Sequence, residues 1–309
     1  MRNPFKPKPE LAPPPGELDI ALWGPTGAGK TCLVHALAQE LEVYHNQRDP
    51  NFNYHLRNER DNPILRDGDQ DRPPASDEAK DAIIHFTRLR KRDGAPVVTH
   101  NLKIHDDRGL NAIRVGATDI DSISVGTGWS SDMAIAEANM TSSVAIIAFL
   151  DIGYKGYAPS APDLGILAAD GDYRQRIEDL LGYLGSLGGP RQLTKYLAIC
   201  VSKVDLQPNL RRDADFLMKA LFPKTDELLN AYNGRNGLVV RKFQTSAVGF
   251  LPRRADLPNY NPDTGWLSQP HRWVPFNTAA PFFWIFEEME KQSPNQRYPY
   301  PPPMSRGSA

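Results

Sequence analysis

Residues Val144-Ala145-Ile146-Ile147-Ala148-Phe149-Leu150 form an uninterrupted apolar run. A strand with one wet face alternates apolar and polar side chains, so a run without alternation needs cover on both faces. That cover exists in the middle of a mostly parallel sheet flanked by helices, and the run therefore directs the chain to an α/β architecture with helices on both faces. Tyr196–Val201 has the same character. Between such strands the apolar spacing becomes helical. Leu33, Val34, Ala36, Leu37 and Leu41 share one broad face of Lys30–Glu42, and Tyr173, Ile177, Leu180, Leu181 and Leu184 follow one another at offsets of 4, 3, 1 and 3.

Further strands are expected at Leu18–Trp23, Ala82–Arg90, Val97–His105 and Leu238–Phe243. Asp93-Gly94 marks a turn between the second and third of these, which places one antiparallel edge strand beside an otherwise parallel sheet. Additional helices are expected near Ser130–Asn139, around Phe216, Leu217, Ala220 and Leu221, and from Phe282 onward. The stretch from Tyr44 to Asp81 is polar and contains proline, and it reads as a long loop. Arg88–Arg92 reads as a solvated hairpin tip, with a contact to phosphate or an acidic partner as the alternative. Residues 1–17 and 293–309 are proline-rich tails expected to be extended and solvated, leaving 18–292 as the folded unit.

Gly24-Pro25-Thr26-Gly27-Ala28-Gly29-Lys30-Thr31 follows the first strand, opens the first helix and fits G-x-x-x-x-G-K-[ST]. The chemistry requires that context. Backbone N–H groups in a tight glycine turn point inward and cradle phosphate oxygens, which a side chain would block. Lys30 would reach the β and γ phosphates, the Thr31 hydroxyl would ligate Mg²⁺, and the N-terminal end of the helix, through Cys32, would face the anion.

The charge balance argues against a broad nucleic-acid surface: Lys plus Arg number 36 and Asp plus Glu 37, for a net charge of −1. Two cysteines, Cys32 and Cys200, leave no disulfide framework, which suits a reducing cytoplasmic compartment. No apolar run has the length of a membrane span. The seven histidines show no H-x-x-x-H spacing, and no G-x-S-x-G elbow occurs.

Ligands of α/β sheets bind at the carboxyl ends of the strands, and those ends carry polar motifs here. Asp106-Asp107-Arg108-Gly109 follows the strand ending at His105 and has the form D-x-x-G, an acidic residue for a water-bridged Mg²⁺ and a glycine N–H for a γ-phosphate. Ser202-Lys203-Val204-Asp205 follows the strand ending at Val201, and the strand ending at Phe243 runs through Gln244-Thr245 into Ser246-Ala247-Val248. In this order and placement, the motifs resemble those of the Ras-like P-loop GTPases, and the resemblance spans residues 18–291. It implies a P-loop NTPase sheet, GTP or GDP as ligand, and Mg²⁺ as cofactor. Asp205 would accept from the guanine N1–H and amine, the Lys203 stem would cover the ring, and the Ala247 amide would donate to the guanine oxygen. Lys30 and Gly109 would be the catalytic contacts to the γ-phosphate, and a protein effector or activating partner is implied.

The chain departs from that family at three places. Ser202 replaces the usual Asn or Thr. No threonine lies between Thr31 and Thr87 to serve as the switch residue, which leaves Ser76 as the candidate metal-site hydroxyl. Leu110 stands where the family has its water-orienting glutamine, so slow or partner-assisted hydrolysis is expected. The long insertions resemble those of the divergent prokaryotic double-GTPase proteins of conflict and signalling systems. A P-loop ATPase and a scaffold that holds nucleotide without turnover remain as alternatives.

Overall fold

The computed structural model describes residues 18–25, 27–58, 80–106, 143–153, 165–186, 194–207, 213–251, 253–264, 266–291 and 299–304. In chain order, β1 (Leu18–Trp23) leads into α1 (Lys30–Glu40), which continues through a π-helical turn, Leu41–His45, and a last turn, Asn46–Arg48. There follow β2 (Phe52–Asn58), β3 (Lys80–Arg90), β4 (Pro96–Asp106), β5 (Ala145–Asp151), α2 (Gly165–Ser186), β6 (Tyr196–Ser202), α3 (Ala214–Leu221), α4 (Pro223–Tyr232) and β7 (Val239–Thr245). Two short hairpins follow, β8 (Phe250–Leu251) with β9 (Arg254–Pro258) and β10 (Tyr260–Asn261) with β11 (Trp266–Leu267), before α5 (Ala280–Glu290).

The main sheet has seven strands in the order β2-β3-β4-β1-β5-β6-β7, and every pairing from β4 to β7 is parallel. Successive side chains of a strand point to opposite faces, and β5 shows the consequence directly. Ala145, Ile147 and Phe149 join the core beneath α1 and α5, whereas Ile146, Ala148 and Leu150 join the core beneath α2, α3 and α4. β6 divides likewise, with Ala198 and Cys200 on one side and Leu197, Ile199 and Val201 on the other. Each buried Ile, Leu or Phe stabilises the fold by roughly 1.5–3 kcal/mol, and a polar residue in either set would meet hydrocarbon.

Four expectations require correction. The antiparallel strand, β3, is not at the edge, because β2 pairs with its outer side. Phe52, Tyr54 and Leu56 alternate with Asn53, His55 and Arg57, a half-buried strand pattern lying inside the stretch read as loop. Arg88 is not part of a solvated tip. It is fully buried, its guanidinium 4.7 Å from the centre of the Phe52 ring and 4.4 Å from that of Tyr300, where the two π faces attract the cation. Lastly, Tyr300 and Met304 of the proline-rich end are buried rather than solvated. Five consecutive large apolar residues, Phe282–Phe286, wrap α5 on more than one side and are all buried. Tyr300 covers part of that surface, with ring centres 5.1 Å from Phe283 and 5.8 Å from Phe286.

The expected turn at Asp93-Gly94 is present, with Gly94 at φ 68 and its N–H bonded to the Arg90 carbonyl at 2.8 Å. The helix expected near 130–139 and residues 1–17 lie outside the described residues. No described helix is long and apolar enough to cross a membrane.

Candidate functional site

Register brings the carboxyl ends of five strands to one edge of the sheet. Leu22 of β1 lies level with Asp106 of β4, Trp23 with Ala148 of β5, Asp151 with Ser202 of β6, and Ser202 with Thr245 of β7. The backbone of Asp106 therefore ends beside the strand that delivers Gly24. The Asp106 side chain, like Thr26, Ser76, Gly109 and Leu110, lies outside the described residues.

The turn from β1 to α1 uses glycine for two different reasons. At Gly24 a Cβ would sit 2.9 Å from the Cβ of Phe149, so the close approach to β5 excludes any side chain. Gly27 and Gly29 have φ of 81 and 91, a left-handed backbone that only glycine adopts at no steric cost. The Ala28 N–H closes the turn onto the Pro25 carbonyl at 3.1 Å, and Leu33 N–H bonds to Gly29 O as the helix begins. Lys30, buried, folds back across the turn and donates to the Gly24 carbonyl at 3.0 Å and the Pro25 carbonyl at 3.5 Å. Thr31 and Cys32 follow on the first turn of α1, both partly buried.

The second half of the site lies beyond β6 and β7. Ser202 is buried, its hydroxyl 3.4 Å from the Leu150 carbonyl. Lys203 is left-handed, with φ 60 and ψ 36, a conformation that bulky residues seldom adopt without support. Support comes from Asp151, whose Oδ2 pairs with Lys203 Nζ at 2.6 Å and whose Oδ1 accepts from the Gly153 N–H at 2.8 Å. Asp151 was not singled out from the sequence. Its position as the polar residue ending an otherwise apolar strand was the available signal.

Asp205 is 4% exposed, in a short turn from Val204 to Leu206. Burial pushes its carboxyl above the usual carboxylate range, against the opposing pull of the Ser246 hydroxyl and of Lys203. Ser246 Oγ donates to Asp205 Oδ1 at 2.6 Å and accepts from the Gly249 N–H at 2.9 Å. The Ser246 N–H and carbonyl each bond to Phe276 at 2.9 Å. Ala247 is next, partly buried, its carbonyl accepting from the Trp273 indole at 2.7 Å.

The structure thus gathers Gly24, Pro25, Gly27–Cys32, the Asp106 backbone, Ser202–Asp205 and Ser246–Ala247 at one sheet edge. A separate cleft of about 440 Å³ runs along β7 between Asn230, Lys242 and Met304, and no candidate residue lines it. Among the described residues no group of three or more His, Cys, Asp or Glu side chains converges to hold a metal ion. Comparison with protein-family models and with curated proteins returns no match.

Proposed function

We propose that this chain binds guanine nucleotide with Mg²⁺ as a Ras-like P-loop GTPase, acting as a switch or a slow GTPase. The observation carrying this reading is the Ser246–Asp205 hydrogen bond, which joins two strand-end motifs 41 residues apart into one unit. That unit shares its sheet edge with the glycine turn and Lys30. A buried carboxylate steadied by a hydroxyl suits the N1–H and amine of guanine, whereas adenine offers no matching pair of donors.

In this reading the Lys30 ammonium exchanges the Gly24 and Pro25 carbonyls for β- and γ-phosphate oxygens. Thr31, Asp106 and Ser76 would hold Mg²⁺, which neutralises phosphate charge when bound, and Gly109 would contact the γ-phosphate. The Lys203 stem, set by Asp151, lies along the base. Titration of the purified chain with GTP and ATP tests the assignment: preference for GTP supports it, and preference for ATP removes it.

Asp205 makes binding pH-dependent. Only its carboxylate form accepts from guanine, and burial raises its pKa, so GTP affinity falls as pH drops toward the Asp range from above, earlier than for an exposed aspartate near 4. Stability of the unliganded protein moves the other way. A raised folded pKa imposes a cost above that pKa, and the cost is relieved as the group protonates. Calorimetric titration with GTP across mildly acid pH reads the first effect. An affinity independent of pH down to about 4 would contradict it.

With Leu110 at the water-orienting position, turnover by the isolated chain should be on the order of 10⁻⁴ s⁻¹, and faster hydrolysis would draw on a protein partner in the cytoplasm. Single-turnover measurement checks this. A rate near ~1 s⁻¹ would reveal a catalytic group in the chain itself, and no turnover would favour a nucleotide-holding scaffold.

A further inference from the structure

Between β7 and α5 the chain makes an excursion, residues 247–275, whose centre is an aromatic cluster on α1. Trp273 is 2% exposed. Its ring stacks on His35 of α1 at 5.5 Å and 28° and meets Trp266 edge-on at 5.5 Å and 71°. Its carbonyl accepts from Gln39 of α1 at 3.1 Å. The indole N–H then reaches back to the Ala247 carbonyl at 2.7 Å. One residue therefore ties the helix that begins at the glycine turn to the loop following β7.

The ties on that loop fix both peptide planes around Ala247. A trans peptide is planar, with N–H and C=O pointing in opposite directions. The Phe276 N–H holds the Ser246 carbonyl at 2.9 Å, so the Ala247 N–H in the same plane points away from Phe276. Trp273 holds the next plane through the Ala247 carbonyl. Gly249 closes the loop without slack, since a Cβ there would stand 1.9 Å from the Val274 carbonyl oxygen. Among the described residues, the indole bond is the one hydrogen bond on these two planes made by a side chain, and it can be removed by substitution.

We infer that Trp273 is a specificity-determining positioning residue, whose indole N–H, anchored to α1, holds Ala247 so that its N–H meets the 6-oxygen of guanine. The inference rests on the guanine reading above and deepens it, adding a residue that touches neither base nor phosphate. Because its other end is on α1, Trp273 also sets the distance between the base loop and the phosphate turn.

The test uses the full chain, GTP, and 6-thio-GTP, in which sulfur, a poor acceptor, replaces the 6-oxygen. Wild type should bind GTP about tenfold more tightly than 6-thio-GTP, the equivalent of one hydrogen bond. Trp273→Phe keeps a ring against His35 and loses the N–H, and its preference should fall below about threefold while affinity for inorganic tripolyphosphate stays within about twofold. Gln39→Leu, which removes one of the two ties of Trp273 to α1 and leaves the His35 stacking and the indole intact, should lower the same ratio by a smaller factor. It decides the matter if the Phe variant does not fold. A folded variant that keeps the wild-type ratio overturns the inference, as does a parallel loss of tripolyphosphate binding. Wild type that prefers ATP instead sinks the guanine reading itself, a result separate from either.

Discussion

Asp205→Asn should weaken GTP binding by at least ~3 kcal/mol, because a charged acceptor is lost and a buried donor is left facing two donors of the base. The substitution is chosen to spare the fold. An asparagine oxygen still accepts from Ser246 Oγ, which is 2.6 Å from Asp205 Oδ1 in the native protein, and the amide then occupies the other carboxylate position. Removing a buried charge also relieves the desolvation that raises the Asp205 pKa, so the variant should be no less stable than wild type. XTP, which carries an oxygen where GTP has its amine, should gain affinity for the variant. Isothermal titration of both proteins with GTP, XTP and ATP measures the exchange, and an Asn variant that binds GTP normally would remove Asp205 from the base site.

Tyr300→Ala should destabilise the protein by about 3–5 kcal/mol, the range for deleting a buried aromatic ring. The ring lies against Phe283 and Phe286 and beneath the Arg88 guanidinium, and its hydroxyl donates to Glu290 Oε1 at 2.8 Å. Burial and the Glu290 carboxylate push the phenol pKa upward, so it remains a proton donor throughout the physiological range. The loss therefore combines a cavity with a carboxylate deprived of a donor. Tyr300→Phe, which removes the hydroxyl alone, should cost about 1–2 kcal/mol. Urea unfolding separates the two. A change under ~1 kcal/mol for the alanine variant would mean that residues 299–304 add little to the core.

These two residues differ in how far sequence alone leads to them. Asp205 follows a buried strand at a spacing set by its immediate neighbours, so local order is enough to single it out. Tyr300 stands in a Pro-Tyr-Pro-Pro-Pro stretch whose composition reads as solvated chain. Its burial depends on an exposed flank of α5 that appears only once Phe282–Phe286 is wound into a helix against the sheet. Arg88 was misread for the same reason. A run of basic residues has no local feature that says one of them lies between two rings contributed by residues 52 and 300. β2 is a different case, since Phe52, Tyr54 and Leu56 alternate with polar residues over only a few positions, inside a polar, proline-containing stretch without sustained periodicity.

The sequence by itself determined the unbroken apolar strands, and through them a sheet covered on both faces. It also determined the glycine turn that opens the first helix, the Asp93-Gly94 turn, and which polar residues follow each strand. All of these depend on interactions within a few residues, where backbone sterics and side-chain alternation act directly. Only the tertiary structure decided that Asp205 meets Ser246, that Asp151 holds Lys203 from 52 residues away, and that Trp273 reaches Ala247 from α1. Those contacts join chain segments with no local preference for one another. They form because parallel strands bring their ends to one edge, where the buried polar groups of different segments meet and satisfy one another.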